Sequence, residues 1–291
     1  MTLILTLNTG SSSLKFGLYE DAAEPALILH GQVDRIGAEA QLIVNADGAK
    51  TKRSVPAATP ASALDQVIAA LRAHMPGLRI KGVGHRIVHG GPDYADPMVL
   101  TSAVLEKLRE FAPLAPLHQP HNLAGVAAAQ AAFPEAIQVG CFDTAFHRGH
   151  PWANDTFAIP RRFYDQGVRR YGFHGLSYDY ITGVIKQVHP ELRAGRIVIA
   201  HLGNGASMCA VRDGKSVGST MGFSALDGLP MGTRCGQIDP GVLLYLIEQK
   251  GMAPAEVLRM LYKESGLLGL SGISGDMRST SAGAIPFCSI R

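Results

Sequence analysis

Two arginines, an acid and two histidines stand beside glycines or at the ends of apolar runs. Arg86 lies in Gly84-His85-Arg86-Ile87-Val88-His89-Gly90-Gly91, and Arg234 in Met231-Gly232-Thr233-Arg234-Cys235-Gly236. A guanidinium offers a planar fork that grips a carboxylate or a phosphate through two parallel hydrogen bonds. Arg86 reads either as such a fork or as a surface arginine on an edge strand. Asp143 directly follows the apolar run 136–142 (AIQVGCF). An acid at that place faces the ligand crevice of an α/β sheet, or caps a helix. His174, in Tyr171-Gly172-Phe173-His174-Gly175, can donate to a transferring phosphoryl group or cap the helix that follows.

Two polar loops complete the set. Asn8-Thr9-Gly10-Ser11-Ser12-Ser13, followed by Lys15, can hold phosphate oxygens with backbone N–H groups and hydroxyls, or form a plain hairpin turn. It lacks the G-x-x-x-x-G-K-[ST] spacing of a Walker A loop. His201-Leu202-Gly203-Asn204-Gly205-Ala206-Ser207 repeats the arrangement in the second half, which suits a nucleotide held in a cleft between domains. Two arginines, an acid and two such loops make a coherent set for phosphoryl transfer, a reaction that depends on positioning and charge neutralisation. The pairs His118/His121 and His147/His150 have i,i+3 spacing but no cysteine or carboxylate cluster beside them, which argues against zinc.

The elements that must position these residues follow from periodicity. Strands are predicted over 2–8, 13–20, 26–36, 40–46, 80–89 and 136–142, with a turn at Asp47-Gly48. Helices are predicted over 60–74, 101–111 and 120–132; in the first, Leu64, Val67, Ile68 and Leu71 fall on one stripe. Residues 148–172 read as a connection between domains. The second half gives a helix over 174–188, a strand over 196–202, a hairpin turning at Asp213-Gly214, and helices over 240–250 and 254–263. LILTLNTGSSSLKFGLYED and IVIAHLGNGASMCAVRDGK share one layout, with Gly10 matching Gly205 and Ser12 matching Ser207, which implies two similarly built α/β domains.

Composition narrows the class. The chain has 291 residues, 46% hydrophobic and 18% charged, as in a folded protein of about two domains. A net charge of +3 is too weak and scattered to argue for nucleic acid. No run of about 18 apolar residues predicts a membrane span. The four cysteines, Cys141, Cys209, Cys235 and Cys288, form no Cys-x-x-Cys pair and fit a reducing cytoplasm.

NTGSSSLKF, GHRIVHGG, PLAPLHQPHN, FDTAFH, YGFHGLSY, HLGNGAS, MGTRCGQIDPG and SGISGDMR, in that order from residue 8 to residue 278, resemble the acetate kinase family. The resemblance implies two ribonuclease H-like α/β domains of the acetate and sugar kinase/heat-shock/actin superfamily, here 1–147 and a partial 148–291. It implies reversible transfer of the γ-phosphoryl group of ATP to acetate, giving acetyl phosphate and ADP, with Mg2+ or Mn2+. By the same resemblance Asn8 is on the metal side and Lys15 contacts ATP. Arg86 binds the acetate carboxylate, in a pocket with Val88, Leu117 and Phe173. Asp143 is catalytic, and His174 and Arg234 stabilise the transition state. His201, Leu202, Gly203, Asn204 and Gly205 line the ATP phosphates, and Asp276, Met277 and Arg278 sit in the nucleotide site.

Family members continue well past SGISGDMR, whereas STSAGAIPFCSIR does not resemble their continuation, as a frameshift after about Arg278 would explain. The second domain is therefore expected to be incomplete. Beside a working acetate kinase stand two other readings, a non-catalytic fragment and a propionate or butyrate kinase. The family's homodimer is left open by the same shortening.

Overall fold

The computed structural model describes residues 2–116, 118–192 and 194–280. The chain divides into two compact units, Met1–Ala145 and Phe146–Arg291. Each is an α/β unit built around one sheet.

In the first unit β1 (Thr2–Thr9), β2 (Ser13–Glu20), β3 (Leu27–Asp34), β4 (Gln41–Ala46) and β5 (Ala49–Ser54) run as an antiparallel meander. β6 (Arg79–Ile87), β7 (Met98–Val99) and β8 (Ile137–Phe142) extend the sheet on the other side, giving the order β5-β4-β3-β2-β1-β6-β8-β7. β6 runs parallel to β1, and β8 parallel to β6, so three strands deliver their carboxyl ends to one edge of the sheet. That edge is where α/β sheets bind ligands.

Helices α1 (Pro60–His74), α2 (Ser102–Glu110) and α3 (Gln119–Ala132) fall close to their predicted spans. Thr59 caps α1 and forms a reciprocal box with Ser62, with Pro60 in the first turn. The helix buries Leu64, Val67, Ile68 and Leu71 in one apolar cluster with Leu14 and Leu18 of β2, Leu29 and Val33 of β3 and Ala129 of α3. Each such side chain contributes roughly 1.5–3 kcal/mol relative to exposure. A second cluster, with Ile87, Leu108, Phe111, Val126 and Phe142, packs beneath the ends of β6 and β8.

The sequence did not predict β5. All six of its residues (AKTKRS) are exposed, so no apolar alternation marks it, and backbone pairing with β4 alone defines it. The Asp47-Gly48 turn is as predicted, with φ of 52° and 75° at the two residues, the left-handed pair a two-residue hairpin favours.

The second unit starts with short helices α4 (Trp152–Asp155) and α5 (Arg161–Asp165), within what reads in sequence as a mere connection. Buried Asp155 organises this segment: Arg148 and Arg169 lie 3.5 and 3.8 Å from its carboxylate, and the Tyr164 hydroxyl donates to it at 2.9 Å. Helix α6 (Gly175–Val188) then leads to β9 (Arg196–Leu202), β10 (Ala206–Arg212) and β11 (Lys215–Ser219), an antiparallel sheet ordered β11-β10-β9. Its inner face packs Cys209 and Val211 with Tyr178 of α6. Its outer face leaves Val198 and Leu202 67% and 74% exposed. Helices α7 (Pro240–Glu248), α8 (Pro254–Arg259), α9 (Gly266–Ser271) and α10 (Met277–Thr280) follow.

The helix predicted over 254–263 breaks at Arg259 into a π-helical turn, Met260–Glu264. The cause is competition for its carbonyls. Ser265 Oγ donates to Met260 O at 2.8 Å, Cys235 N to Leu261 O at 3.1 Å, and Thr233 Oγ1 to Tyr262 O at 2.9 Å. Such turns recur at functional sites; this one grips the loop on both sides of Arg234. Among the described residues no helix is long and apolar enough to cross a membrane.

Candidate active site

The first unit gathers Asn8, Arg86 and Asp143. Strand register does this: Leu7 pairs with His85 and Ile87 with Phe142, so the residues beside them meet at the carboxyl edge. The Asp143 backbone N–H donates to Ile87 O at 3.0 Å, which carries the chain one residue past β8. Arg86 Nε donates to both carboxylate oxygens of Asp143 at 3.1 Å, Nη2 donates to Oδ2 at 2.5 Å, and Nη1 donates to Asn8 Oδ1 at 3.1 Å. The Asp143 carboxylate raises the pKa of Arg86 above its ordinary value. Asp143 is thus committed to Arg86, not to a helix cap. Arg86 is a ligated fork rather than a surface arginine, and two of its five N–H groups are not used by Asp143 or Asn8. Lys15, exposed on β2, stands directly across the strand pair from Asn8.

Backbone splints hold this edge, and their roles were not read from the sequence. Asn122 of α3 accepts from Val88 N at 2.9 Å and donates to Thr9 O at 2.6 Å, tying the ends of β6 and β1 together. Gln119 donates to His89 O at 3.0 Å and to Leu108 O at 3.1 Å. Both amides are buried. PLHQPHN carried these residues, but nothing in their spacing says which carbonyls they reach. Gly91 must be glycine: its φ is +62°, and a Cβ there would lie 2.3 Å from the Phe111 ring. Val88 is buried next to the cluster in sequence, and Leu117 lies outside the described residues.

The second unit gathers Phe173, His174, His201, Gly205 and Arg234. His174 occupies the N-cap position of α6 with φ +60°, yet its side chain does not cap the helix. Its Nδ1 pairs with Ser207 Oγ at 2.8 Å, and its ring stacks on His201 at 4.1 Å between centroids. His201 Nδ1 pairs with Ser177 Oγ at 3.1 Å. Gly205 explains its own identity. A Cβ there would lie 2.8 Å from Arg234 Nη2 and 3.5 Å from His174 Nε2, so two cationic or donor groups converge on that backbone. Arg234 Nη1 donates to Ala225 O at 2.8 Å, and burial lowers the pKa of its guanidinium.

The loop HLGNGAS closes on the arginine loop. Gly232 N donates to Asn204 O at 3.2 Å, and a Cβ on Gly232 would meet Asn204 Oδ1 at 2.4 Å and Gly275 O at 3.0 Å. Leu202 points to the outer face of the sheet, so only its backbone joins this loop. Asp276 adjoins Gly275; its carboxylate takes Arg278 at 2.6 Å, and Met277 is exposed. Of the predicted irregular tail over 279–291, Ser279 and Thr280 instead close the short helix α10, and 281–291 lie outside the described residues.

A buried support sits behind Phe173. His147 Nε2 meets Phe173 O at 3.1 Å, and its Nδ1 meets Ser216 Oγ at 2.8 Å. His150 Nε2 reaches the same hydroxyl at 2.7 Å. The i,i+3 histidine pair therefore shares a serine. Gly172, with φ +71°, folds over the His147 ring, and a Cβ there would lie 2.6 Å from it.

Asn8 and Asp143 offer oxygen ligands that suit a hard divalent cation, and sharing Arg86 keeps the two close. An ionised carboxylate has lone pairs beyond those Arg86 uses. Magnesium is commonly held by one or two protein oxygens, with phosphates and water completing its shell. Among the described residues no cluster of three His, Cys, Asp or Glu forms an all-protein cage, and such a site needs none.

The sequence profile of the Acetokinase family matches residues 3–284. Acetate kinase of Methylocella silvestris is 52% identical, the match covering 96% of this chain and 72% of that protein. Acetate kinase of Nitrobacter hamburgensis is 50% identical, over 98% of this chain and 72% of that one. A propionate kinase from Francisella tularensis superposes with a TM-score of 0.90 at 36% identity, covering 97% of this chain and 73% of the other. Porphyromonas gingivalis acetate kinase superposes with a TM-score of 0.84 at 37% identity, over 96% and 72% of the two chains. The motifs, the fold and these relatives agree, and the chain belongs to the acetokinase family.

Proposed function

We propose that this chain transfers the γ-phosphoryl group of ATP reversibly to acetate, giving acetyl phosphate and ADP. The observation that carries the reading is the Arg86 fork, fixed by Asp143 and Asn8 with two N–H directions left for a carboxylate. A carboxylate oxygen of acetate forms a bond to the γ-phosphorus while the bond to the β,γ-bridging oxygen breaks, and that electron pair leaves with ADP. Both reactants are anionic, so the chain must offset their repulsion. Arg86 holds and orients the acetate carboxylate, and the resemblance assigns the acyl side to Val88, Leu117 and Phe173. Arg234 and His174, converging at Gly205, donate to the oxygens of the transferring group. Lys15, His201, Leu202, Gly203, Asn204 and Gly205 line the phosphates, and Asp276, Met277 and Arg278 the nucleotide. Asn8 and Asp143 would hold Mg2+ or Mn2+, which when bound neutralises charge on the β- and γ-phosphates.

The same reading takes the two units as ribonuclease H-like domains meeting at 147/148, the second partial, each opening its sheet with a strand, a glycine turn and a returning strand. It places the protein in the cytoplasm, where the free thiols Cys141, Cys209 and Cys235 stay reduced.

The test is acyl-phosphate trapping with acetate, ATP, magnesium and hydroxylamine. Acetyl hydroxamate is expected from the 291-residue chain and should fall at least about 100-fold in Asp143→Ala. Folded protein that yields none would favour a non-catalytic member of the family. The Francisella likeness gives propionate as the second substrate to try, and kcat/KM for the two acids decides between them.

A further inference from the structure

The histidine at the head of α6 is held by a directional chain of hydroxyls. Tyr178 Oη lies 2.5 Å from Ser207 Oγ, and Ser207 Oγ lies 2.8 Å from His174 Nδ1. Tyr178 and Ser207 are fully buried, so each hydroxyl proton needs an acceptor inside the protein. One assignment satisfies every link. Ser207 Oγ is the acceptor that the Tyr178 hydroxyl meets, so the tyrosine proton goes to it. The Ser207 proton then goes to His174 Nδ1, and the ring proton sits on Nε2. Burial raises the pKa of Tyr178, which keeps its proton available. His174 Nε2 is the nitrogen that faces Gly205, alongside Arg234 Nη2.

We propose that Tyr178 and Ser207 are positioning residues that fix His174 in the tautomer with Nδ1 accepting and Nε2–H donating, aimed at the oxygens of the transferring phosphoryl group. The inference rests on the phosphoryl-transfer reading above. The opposite tautomer would present an acceptor lone pair to an anion. A donor aimed in advance where charge develops needs no reorganisation during the reaction. Neither residue touches the reacting atoms, and both act through the imidazole.

Long-range 1H–15N correlation on histidine-labelled protein, with the His174 signals identified by loss in His174→Asn, reads the tautomer directly. The expected result for the unsubstituted chain at neutral pH is an unprotonated Nδ1 and a protonated Nε2. Tyr178→Phe and Ser207→Ala should mix or invert that signature and lower kcat at least about tenfold, with KM for acetate and ATP nearly unchanged. Ser207→Thr keeps the hydroxyl and should keep the signature. An Nδ1–H tautomer in the unsubstituted chain overturns the proposal without any variant. So does a signature that survives loss of both hydroxyls, or a loss confined to KM. Absence of phosphoryl transfer from the unsubstituted chain, with the predicted tautomer present, overturns the functional reading instead.

Discussion

The two units treat their arginines in opposite ways. Arg86 sits against a carboxylate that raises its pKa, and Arg234 sits against the Ala225 carbonyl, where burial lowers its pKa. Among the described residues no carboxylate lies within ion-pair distance of Arg234. The first unit therefore presents a charge largely neutralised within the protein. It is suited to hold a small monoanion in a fixed orientation without gripping it too tightly. The second presents an uncompensated cation beside a histidine and two glycine-rich turns, which suits an anion of higher charge. The supports differ as well. The first arginine rides on a strand locked by Asn122 and Gln119; the second rides on a loop clasped by a π turn.

The largest expected effect breaks the second side of this contrast. Arg234→Ala should lower kcat for acyl-phosphate formation at least about tenfold, toward the 10³–10⁵ range that arginines acting on phosphoryl groups supply. Its melting temperature should change little or rise, because the guanidinium is desolvated without a charged partner. A variant that melts markedly lower but keeps its rate would mean Arg234 is structural. On the first side, Asn122→Ala leaves Val88 N–H and Thr9 O without their shared amide. It should destabilise the protein by about 2–3 kcal/mol in urea unfolding. An unchanged midpoint would show that the strand ends are held by pairing alone.

The smallest effect concerns pH. Burial, reinforced by Arg148, lowers the pKa of His150 from 6.5 to about 4. Between those values the unfolded chain binds the extra proton, so stability is complete above about pH 6.5 and falls as the pH drops toward 4. The loss from this group between pH 7 and pH 5 is at most about 2 kcal/mol, less where solvent reaches the ring. His150→Gln should flatten that part of the acid limb. An unaltered pH dependence in urea titrations would exclude the histidine pair as the acid-sensitive element of the second unit.

Much was legible from residue types and order. The strand before Asn8, the strand carrying Arg86 and the run ending at Asp143 announce themselves by their apolar residues, most clearly Leu3, Leu5 and Leu7, which alternate along the strand and are buried. Helix α1 is marked by its stripe and by proline in its first turn. The glycines at 91, 172, 205 and 232 are plain in the sequence, but the side chains and carbonyls that crowd their backbone are not. The strand β5 escaped because a wholly exposed edge strand carries no apolar period. The break after α8 escaped because the carbonyls of Leu261 and Tyr262 are claimed by Cys235 and Thr233, which lie more than twenty residues earlier.

The sequence by itself determined the family, the α/β class and the chemical character of the site, since those depend on residue identity and order along the chain. Only the tertiary structure decided partnership. Whether Asp143 caps a helix or holds Arg86, and whether His174 caps α6 or pairs with Ser207, depends on strand register and on hydrogen bonds between segments 33 to 57 residues apart. Local sequence carries no information about which distant hydroxyl or carboxylate will lie within 3 Å, because that distance is set by the packing of whole elements.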